Sequence, residues 1–500
     1  MKQALLITLT FLYTTLIHAQ LSDTLAVQLP NVEIQGNRIN LPFSETSRSV
    51  QVITKAEIEA APVVSVTELL RYVSGVDVRQ RGVHGVQADV SIRGGTFDQT
   101  LILVNGIKMV DPQTGHHSMN LPVDLQNIER IEVLKGPGAR IYGQNAFAGA
   151  INIITKVPKE QAATISLTAG ENTLGGVKMG VSLPKPNYQQ YFSFSRHFSE
   201  GYRYNTPYNI TNFFYQSQAN INDQKLHILA GFTERAFGAN GFYASPANTD
   251  QYEEIQTSLV AAEYQHVQGK WIVKPRLYWR RNQDEYIFVR SNPSIYRNLH
   301  IGNTVGLEVN SSYSGKLGTT GFGVDINQNL LQSNLLGEWD RTAVSLFAEH
   351  RFLFFNALDV TPGVLFNYFS DFDANLLPGL DVGLRLSENF KVFGNVGYTY
   401  RVPTYTDLYY QDQANIGNPD LQPESAVTYE AGFNYLSRGL HVQTSLFRRD
   451  GRDNIDWVKS QEEDPWQPRN FASIDVQGVE TSVEILFPNL LGSNYWLRRF

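Results

Sequence analysis

Residues Ile128–Pro137 read IERIEVLKGP, and Ala148–Lys156 read AGAINIITK. The first is a strand that Gly136-Pro137 ends, and the second contains an apolar strand over Ala150–Thr155. Upstream, Val50–Ile53 is a further strand. Thr54-x-x-Glu57 and Ser65-x-x-Glu68 are two capping boxes, each opening a short helix. The second helix buries Leu69, Leu70 and Val73, and Gly75 stands where a helix C-terminal cap is wanted. Strands are expected over Asp89–Arg93 and Thr100–Val104, with Asn105-Gly106 as a tight turn. Polar loops are expected over Arg79–Gln87 and Asp111–Asn120. Together these segments describe a compact α/β unit with a small mixed sheet, running from about Val50 to Lys156.

Residues 157–500 read only as strands. In Lys225–Thr233, Leu226, Ile228, Ala230 and Phe232 share one face, opposite Lys225, His227, Gly231 and Thr233. Val305, Leu307 and Val309 oppose Thr304, Glu308 and Asn310 in the same way, and Val392, Val396 and Tyr398 oppose Lys391, Asn395 and Thr399. A soluble sandwich alternates too, so connection lengths carry the distinction. Short links near 184–189, 222–224, 268–269, 314–315, 355–356, 387–388 and 437–439 alternate with mostly longer ones near 201–211, 236–251, 282–299, 401–423 and 450–470. That pattern fits an up-and-down barrel with tight turns at one end and long loops at the other. A propeller would repeat at a fixed period, and none is found. Sixteen strands are expected between Thr164 and Phe487, with a seventeenth from Tyr495 to Phe500. Bacterial barrels close with even numbers, so the reading expects a C-terminally incomplete barrel.

Composition agrees with such a barrel: 12% aromatic residues, with 28 Phe and 25 Tyr, 39 Gly and no cysteine. The absence of cysteine excludes disulfides and thiolate metal sites. A formal charge of −7 argues against a nucleic-acid surface, which needs a positive footprint. Lys2, the apolar run Ala4–Ile17 and Ala19 before Gln20 read as an export signal over residues 1–19. The run is shorter than the roughly 20 residues of a membrane-spanning helix. In the following extension, residues 20–43, Pro30–Gly36 alternates as a short strand suited to adding to a partner's sheet edge; the alternative is an unstructured leader.

Ser91-Ile92-Arg93-Gly94, Val104-Asn105-Gly106, IERIEVLKGPGARIYG at Ile128–Gly143 and AGAINIITK resemble the plug domain of TonB-dependent outer-membrane receptors. Arg401-Val402-Pro403-Thr404, Asp407-Leu408-Tyr409 and GNPDLQPE at Gly417–Glu424 extend the resemblance into the barrel. The resemblance implies an α+β plug over residues 44–156 inside a transmembrane antiparallel β-barrel over residues 157–500. Family barrels have 22 strands, of which 16 or 17 are expected here. It implies a non-enzymatic importer, in the Gram-negative outer membrane among lipid, that acts as a monomer, uses no cofactor and is energised by TonB with its inner-membrane complex. The TonB-contact segment is then Asn31, Val32, Glu33, Ile34, Gln35 and Gly36, with Arg38 following and Asp23–Val27 as a competing match.

Arg93, Glu129, Arg130, Glu132 and Lys135 are the expected plug–barrel contacts, since a plug in a hydrated barrel can keep its charges paired and partly solvated. Ligand candidates on the plug are Arg79, Arg81, His84, Gln87, Asp111, Gln113, His116 and His117. From the barrel loops come Tyr243, Tyr252, Tyr286, Tyr296, Tyr405, Tyr409, Tyr410 and Trp466. Aromatic faces with a few polar groups suit a large, partly apolar metal chelate. An iron–siderophore complex is the first reading and cobalamin the second, with haem or an oligosaccharide behind. No metal site is assigned: His116 and His117 are adjacent, neighbours often point apart, and the sequence supplies no third ligand. A passive porin would need neither the plug nor the coupling strand, and an enzyme would need a catalytic set such as GxSxG or HExxH, which is absent.

Overall fold

The computed structural model describes residues 33–34, 39, 41–243, 245–437 and 439–485. The export signal, Asn31, Val32, Gln35 and Gly36, Asp23–Val27 and the expected strand Tyr495–Phe500 lie outside the described residues. Glu33–Ile34 forms a two-residue strand antiparallel to Leu41–Pro42.

The α/β unit is built on a five-stranded sheet in the order Val50–Thr54, Ile128–Lys135, Gly149–Thr155, Thr100–Val104, Ile107–Lys108. Gly149–Thr155 runs parallel to Thr100–Val104 and antiparallel to Ile128–Lys135, so the sheet is mixed. Burial on both faces explains the continuous apolar runs of its central strands. Asn105 and Gly106 both have positive φ, 51° and 80°, which the tight hairpin to Ile107–Lys108 requires. The Thr54 box closes reciprocally: its side chain accepts from the Glu57 amide, and its own amide donates to the Glu57 carboxylate at 2.6 Å. At Ser65 only half of the expected box forms, because Glu68 turns to the Val64 amide at 2.9 Å. Two further expectations are corrected. Residues 79–81 are not loop but the end of the strand Val76–Arg81. That strand pairs with Gln87–Ile92 in a separate hairpin, so the segment around Asp89 stands outside the mixed sheet.

The remaining chain is one sixteen-stranded antiparallel sheet from Ala162–Ala169 to Gln467–Ile485, each strand pairing with the next in sequence. It wraps the α/β unit, whose side chains meet strands from Gly175–Ser182 round to Gln467–Ile485. The pattern is inside out relative to a soluble protein. Leu277, Leu346 and Leu446 are exposed by 57, 51 and 57%, while Thr257 and Asp325, which face inward, are 0% exposed. An apolar exterior around a polar interior is the signature of strands in lipid, and it removes the soluble-sandwich alternative. Links at 183–187, 222–223, 269–270, 316–317, 355–357, 386–389 and 437–439 form the short-turn end. The opposite end carries links such as 239–251, 288–296, 402–423 and 459–466. These long links are shorter than expected because pairing continues past the apolar band: Tyr286 still faces Asn298, and Arg297 bonds Glu285 at 2.5 Å.

Candidate functional site

The plug meets the barrel wall through charge. Arg93, itself held at φ 48°, donates to Glu430 and Glu480 at 2.9 Å and to Ser445 at 2.7 Å, with its guanidinium 4.4 Å from the Phe447 ring centre. Lys135 bonds Glu480 and, at 2.9 Å, Ser74. Burial, with the Arg93 charge adding to it, lowers the Lys135 pKa, and Glu480 only partly opposes them. Arg130 and Glu132, named with them from the sequence, pair with each other at 2.8 Å, and Glu129 is exposed. Sequence reasoning missed the largest of these contacts. Arg140 bridges Glu349 at 2.5 Å and Asp381 at 2.6 Å, Arg48 shares Asp381 at 2.7 Å, and Lys108 reaches Asp325 at 2.6 Å. The signal was present as acids at alternate, inward positions of otherwise lipid-facing strands.

Toward the long-loop end, candidates from both domains converge. Arg81 bonds Asp89 at 3.3 Å and lies 5.5 Å from the Tyr243 ring centre; Asp89 also holds His116 at 2.7 Å and Gln87 at 3.2 Å. Burial would raise the Asp89 carboxyl, but His116 and Arg81 outweigh it and keep its pKa low. From Tyr243 an aromatic chain runs edge to face onto Tyr286 at 5.5 Å and on to Tyr296, whose hydroxyl is 2.9 Å from that of Tyr410. Trp339, absent from the sequence candidates, lies flat on Tyr409 at 3.7 Å with 4° between the planes. Tyr405 is buried beneath Arg341, 4.9 Å away.

Asp111 and Gln113 are buried and serve the scaffold. Asp111 pairs with Arg280 at 3.3 Å, and the backbone oxygens of Pro112 and Gln113 accept from Tyr405 and Thr406, hanging the 402–423 loop on the plug. Arg79 is exposed and paired only locally with Asp77, and His84 packs on Tyr208, apart from the aromatic chain. Tyr252 lies under Arg290 at 4.5 Å, and Trp466 sits by Lys459 at the rim. His117 turns the other way from His116: its Nε2 is 3.2 Å from Asp284 on the barrel. Burial disfavours its charged form, but Asp284, Glu253 and Asp111 push its pKa up to about 9. Asp98, behind the site, is pushed up to about 6 by burial, against the pull of Arg401.

The short-turn end holds the start of the plug. Phe43 stacks edge-on against His441 at 5.6 Å, Glu45 pairs with Arg351 at 2.8 Å, and Ser47 bonds Asp359.

This is a plugged, lipid-facing barrel with an aromatic mouth opposite the end where its N-terminal segment enters. Residues 42–150 match the TonB-dependent receptor plug domain, and residues 176–497 match the TonB-dependent receptor-like β-barrel. The chain belongs to the TonB-dependent receptor family, a family of outer-membrane receptors and transporters and not of enzymes. It is 25% identical over 487 residues to the vitamin B12 transporter BtuB of Vibrio vulnificus, covering 91% of this chain and 75% of that one. It is 26% identical over 453 residues to an iron-regulated outer membrane virulence protein of Vibrio cholerae, covering 81 and 66%. The crystal structure of the siderophore receptor PirA from Pseudomonas aeruginosa superposes with a TM-score of 0.72 at 19% identity, covering 87 and 82%, which establishes the shared fold.

Proposed function

We propose that this receptor binds a large metal chelate at its aromatic mouth and imports it when TonB pulls on the N-terminal segment. The observation that carries the reading is the aromatic chain from Tyr243 to Tyr410, set over plug residues Arg81, Gln87 and His116. An iron–siderophore complex comes first, because Arg81 and Arg290 each lie against a tyrosine ring at the mouth, which suits anionic ligand oxygens on an apolar frame. Cobalamin is the second reading, favoured by the relatives named as vitamin B12 transporters. On this reading residues 1–19 are an export signal, 20–43 the coupling extension, 44–156 the plug and 157–500 the barrel of a monomer.

Two measurements test it. Calorimetry of the purified receptor with a panel of ferric siderophores and with cyanocobalamin separates the ligands; binding of neither class overturns the reading. Deleting Asn31–Gly36 is expected to abolish uptake by cells and leave ligand affinity unchanged, because strand addition transmits force without touching ligand. Undiminished uptake refutes the assignment of the coupling segment.

A further inference from the structure

The buried acids of the barrel follow a rule with one exception. From Glu308 to Glu430, each pairs with an arginine or lysine. Glu253 and Asp284, 3 and 5% exposed, have no such partner among the described residues. They come from neighbouring antiparallel strands, where Asp284 faces Ile255, so the two carboxylates are diagonal neighbours on the inward face. Two buried carboxylates side by side repel unless a proton or a cation lies between them; without a metal that charge is the proton on His117, which a bound ion displaces. Asp284 Oδ1 is buried without a hydrogen bond of good geometry, with Glu253 and Gln113 beside it.

The plug supplies the third group. His117, 5% exposed, brings its Nε2 to 3.2 Å from Asp284 Oδ2, and one ligand atom from each of His117, Glu253 and Asp284 lies within 4.8 Å of the others. Bonds of about 2.0–2.1 Å in tetrahedral geometry put neighbouring ligand atoms roughly 3.3 Å apart, so the His117–Asp284 edge already has the right length. Outer contacts sit beside the donors: the Tyr243 hydroxyl bonds Glu253, and the Asn120 side-chain amide lies 3.0 Å from His117 Nδ1, where its oxygen, with the amide turned over, accepts the Nδ1–H that leaves Nε2 free to ligate. Fixing a ligand's second nitrogen or oxygen is how metal sites orient their donors.

We propose that His117, Glu253 and Asp284 form a binding site for one divalent first-row transition-metal ion, with Zn2+ the best match, held between the plug segment Gly115–Asn120 and the barrel wall. Imidazole nitrogen and carboxylate oxygen are both zinc donors, and three protein ligands leave the fourth position for water, although open zinc sites more commonly carry two or three histidines. The hard cations Ca2+ and Mg2+ take oxygen cages and gain nothing from the imidazole. Because the donors come from two domains, the ion staples the plug to the strands Tyr252–Gln268 and Trp271–Ile287. This role is separate from capture of the chelate and holds whichever chelate is imported.

The full-length receptor, stripped with a chelator in detergent, is titrated with ZnCl2 by calorimetry, and its metal content after dialysis is read by mass spectrometry. One equivalent of zinc is expected. His117→Gln and Asp284→Asn should each weaken binding by at least the ~10–100-fold that loss of an outer-shell partner costs. Co2+ in place of Zn2+ should give tetrahedral absorption bands that His117→Gln abolishes. Zinc uptake below a tenth of an equivalent, or equal affinity in wild type and in both variants, overturns the site. Should His117→Gln fail to fold, Asp284→Asn decides by the same criterion. Neither readout involves transport, so failure here is distinct from failure of the importer reading.

Discussion

Replacing Arg140 by Met tests whether ion pairs, and not shape alone, hold the plug to the wall. The guanidinium donates to Glu349 and Asp381 from a site where all three side chains are under a tenth exposed. Asp381 keeps Arg48 after the change, but Glu349 has no other ion pair among the described residues. Stranding one buried charge costs about 3–5 kcal/mol. Native-state hydrogen exchange of the amides in Ala139–Tyr142 and Gly149–Thr155 reads the local opening directly. Arg140→Met should speed it roughly 10²–10³-fold, about 3–4 kcal/mol. Adding Glu349→Gln should recover most of the loss, because the stranded charge is gone. Exchange less than threefold faster in the single variant, or equally fast in both, refutes the reasoning.

Leu346→Arg, on a face 51% exposed, should destabilise the barrel in vesicles by roughly 2–4 kcal/mol, with the full effect at the bilayer midplane, while Leu317→Arg in a turn costs at most about 1; equal urea midpoints would place both in water. For Asp98 the folded carboxyl, at about 6, lies above its ordinary 3.8, so the folded plug binds the proton more tightly. Stability from this group is therefore full below about pH 4 and falls as pH rises to 6, by at most roughly 3 kcal/mol. Asp98→Asn should flatten that slope in plug exchange measured at pH 4 to 7, and an unchanged slope would contradict the assignment. Trp339→Ala removes the stack on Tyr409, worth about 0.5–1.5 kcal/mol, and should weaken chelate binding roughly 2–10-fold by calorimetry; unchanged affinity would take Trp339 out of the site.

The plug sheet and the barrel were legible because both rest on local periodicity. Ile128–Lys135 and Gly149–Thr155 are apolar runs bounded by glycine, and sixteen alternating segments lay between Thr164 and Phe487. Strand ends were misjudged where pairing outlasts the apolar alternation, as at Tyr286 and Arg297, because cross-strand hydrogen bonds and ion pairs persist in water without a hydrophobic face. The site was legible only in part. Tyr243, Tyr286, Tyr296 and Tyr410 were found as loop aromatics, whereas Trp339 sits within a strand and was not among the candidates. His117 was read beside His116 because they adjoin in sequence. Its true neighbours, Glu253 and Asp284, are more than a hundred residues away and arrive only because the sixteen-stranded sheet wraps around the plug.

The two flanks of the plug are held by different forces. Toward the strands between Tyr188 and Ile287 the contact is mainly apolar, with Met119, Leu121 and Val123 in one cluster with Tyr191, Phe214, Leu229 and Leu259, beside the buried pairs Asp111–Arg280 and His117–Asp284. Toward the strands from Gly318 to Ile485 it is ionic, mostly with plug cations on wall acids and with Glu45 of the plug on Arg351 in the reverse sense. Separating the apolar flank exposes hydrocarbon at roughly 25 cal/mol per Å². Separating the ionic flank returns charges to water, and their hydration offsets much of the lost attraction. A polar cleft lined by Lys108, Thr304, Asn327, Asn329, Ser345 and Asn367 already lies along that side. The N-terminal segment enters there too, since Arg48 and Arg140 share Asp381. A pull on that segment therefore loads the ionic flank first, and the apolar flank, with His117 against Asp284, is the side placed to act as the hinge.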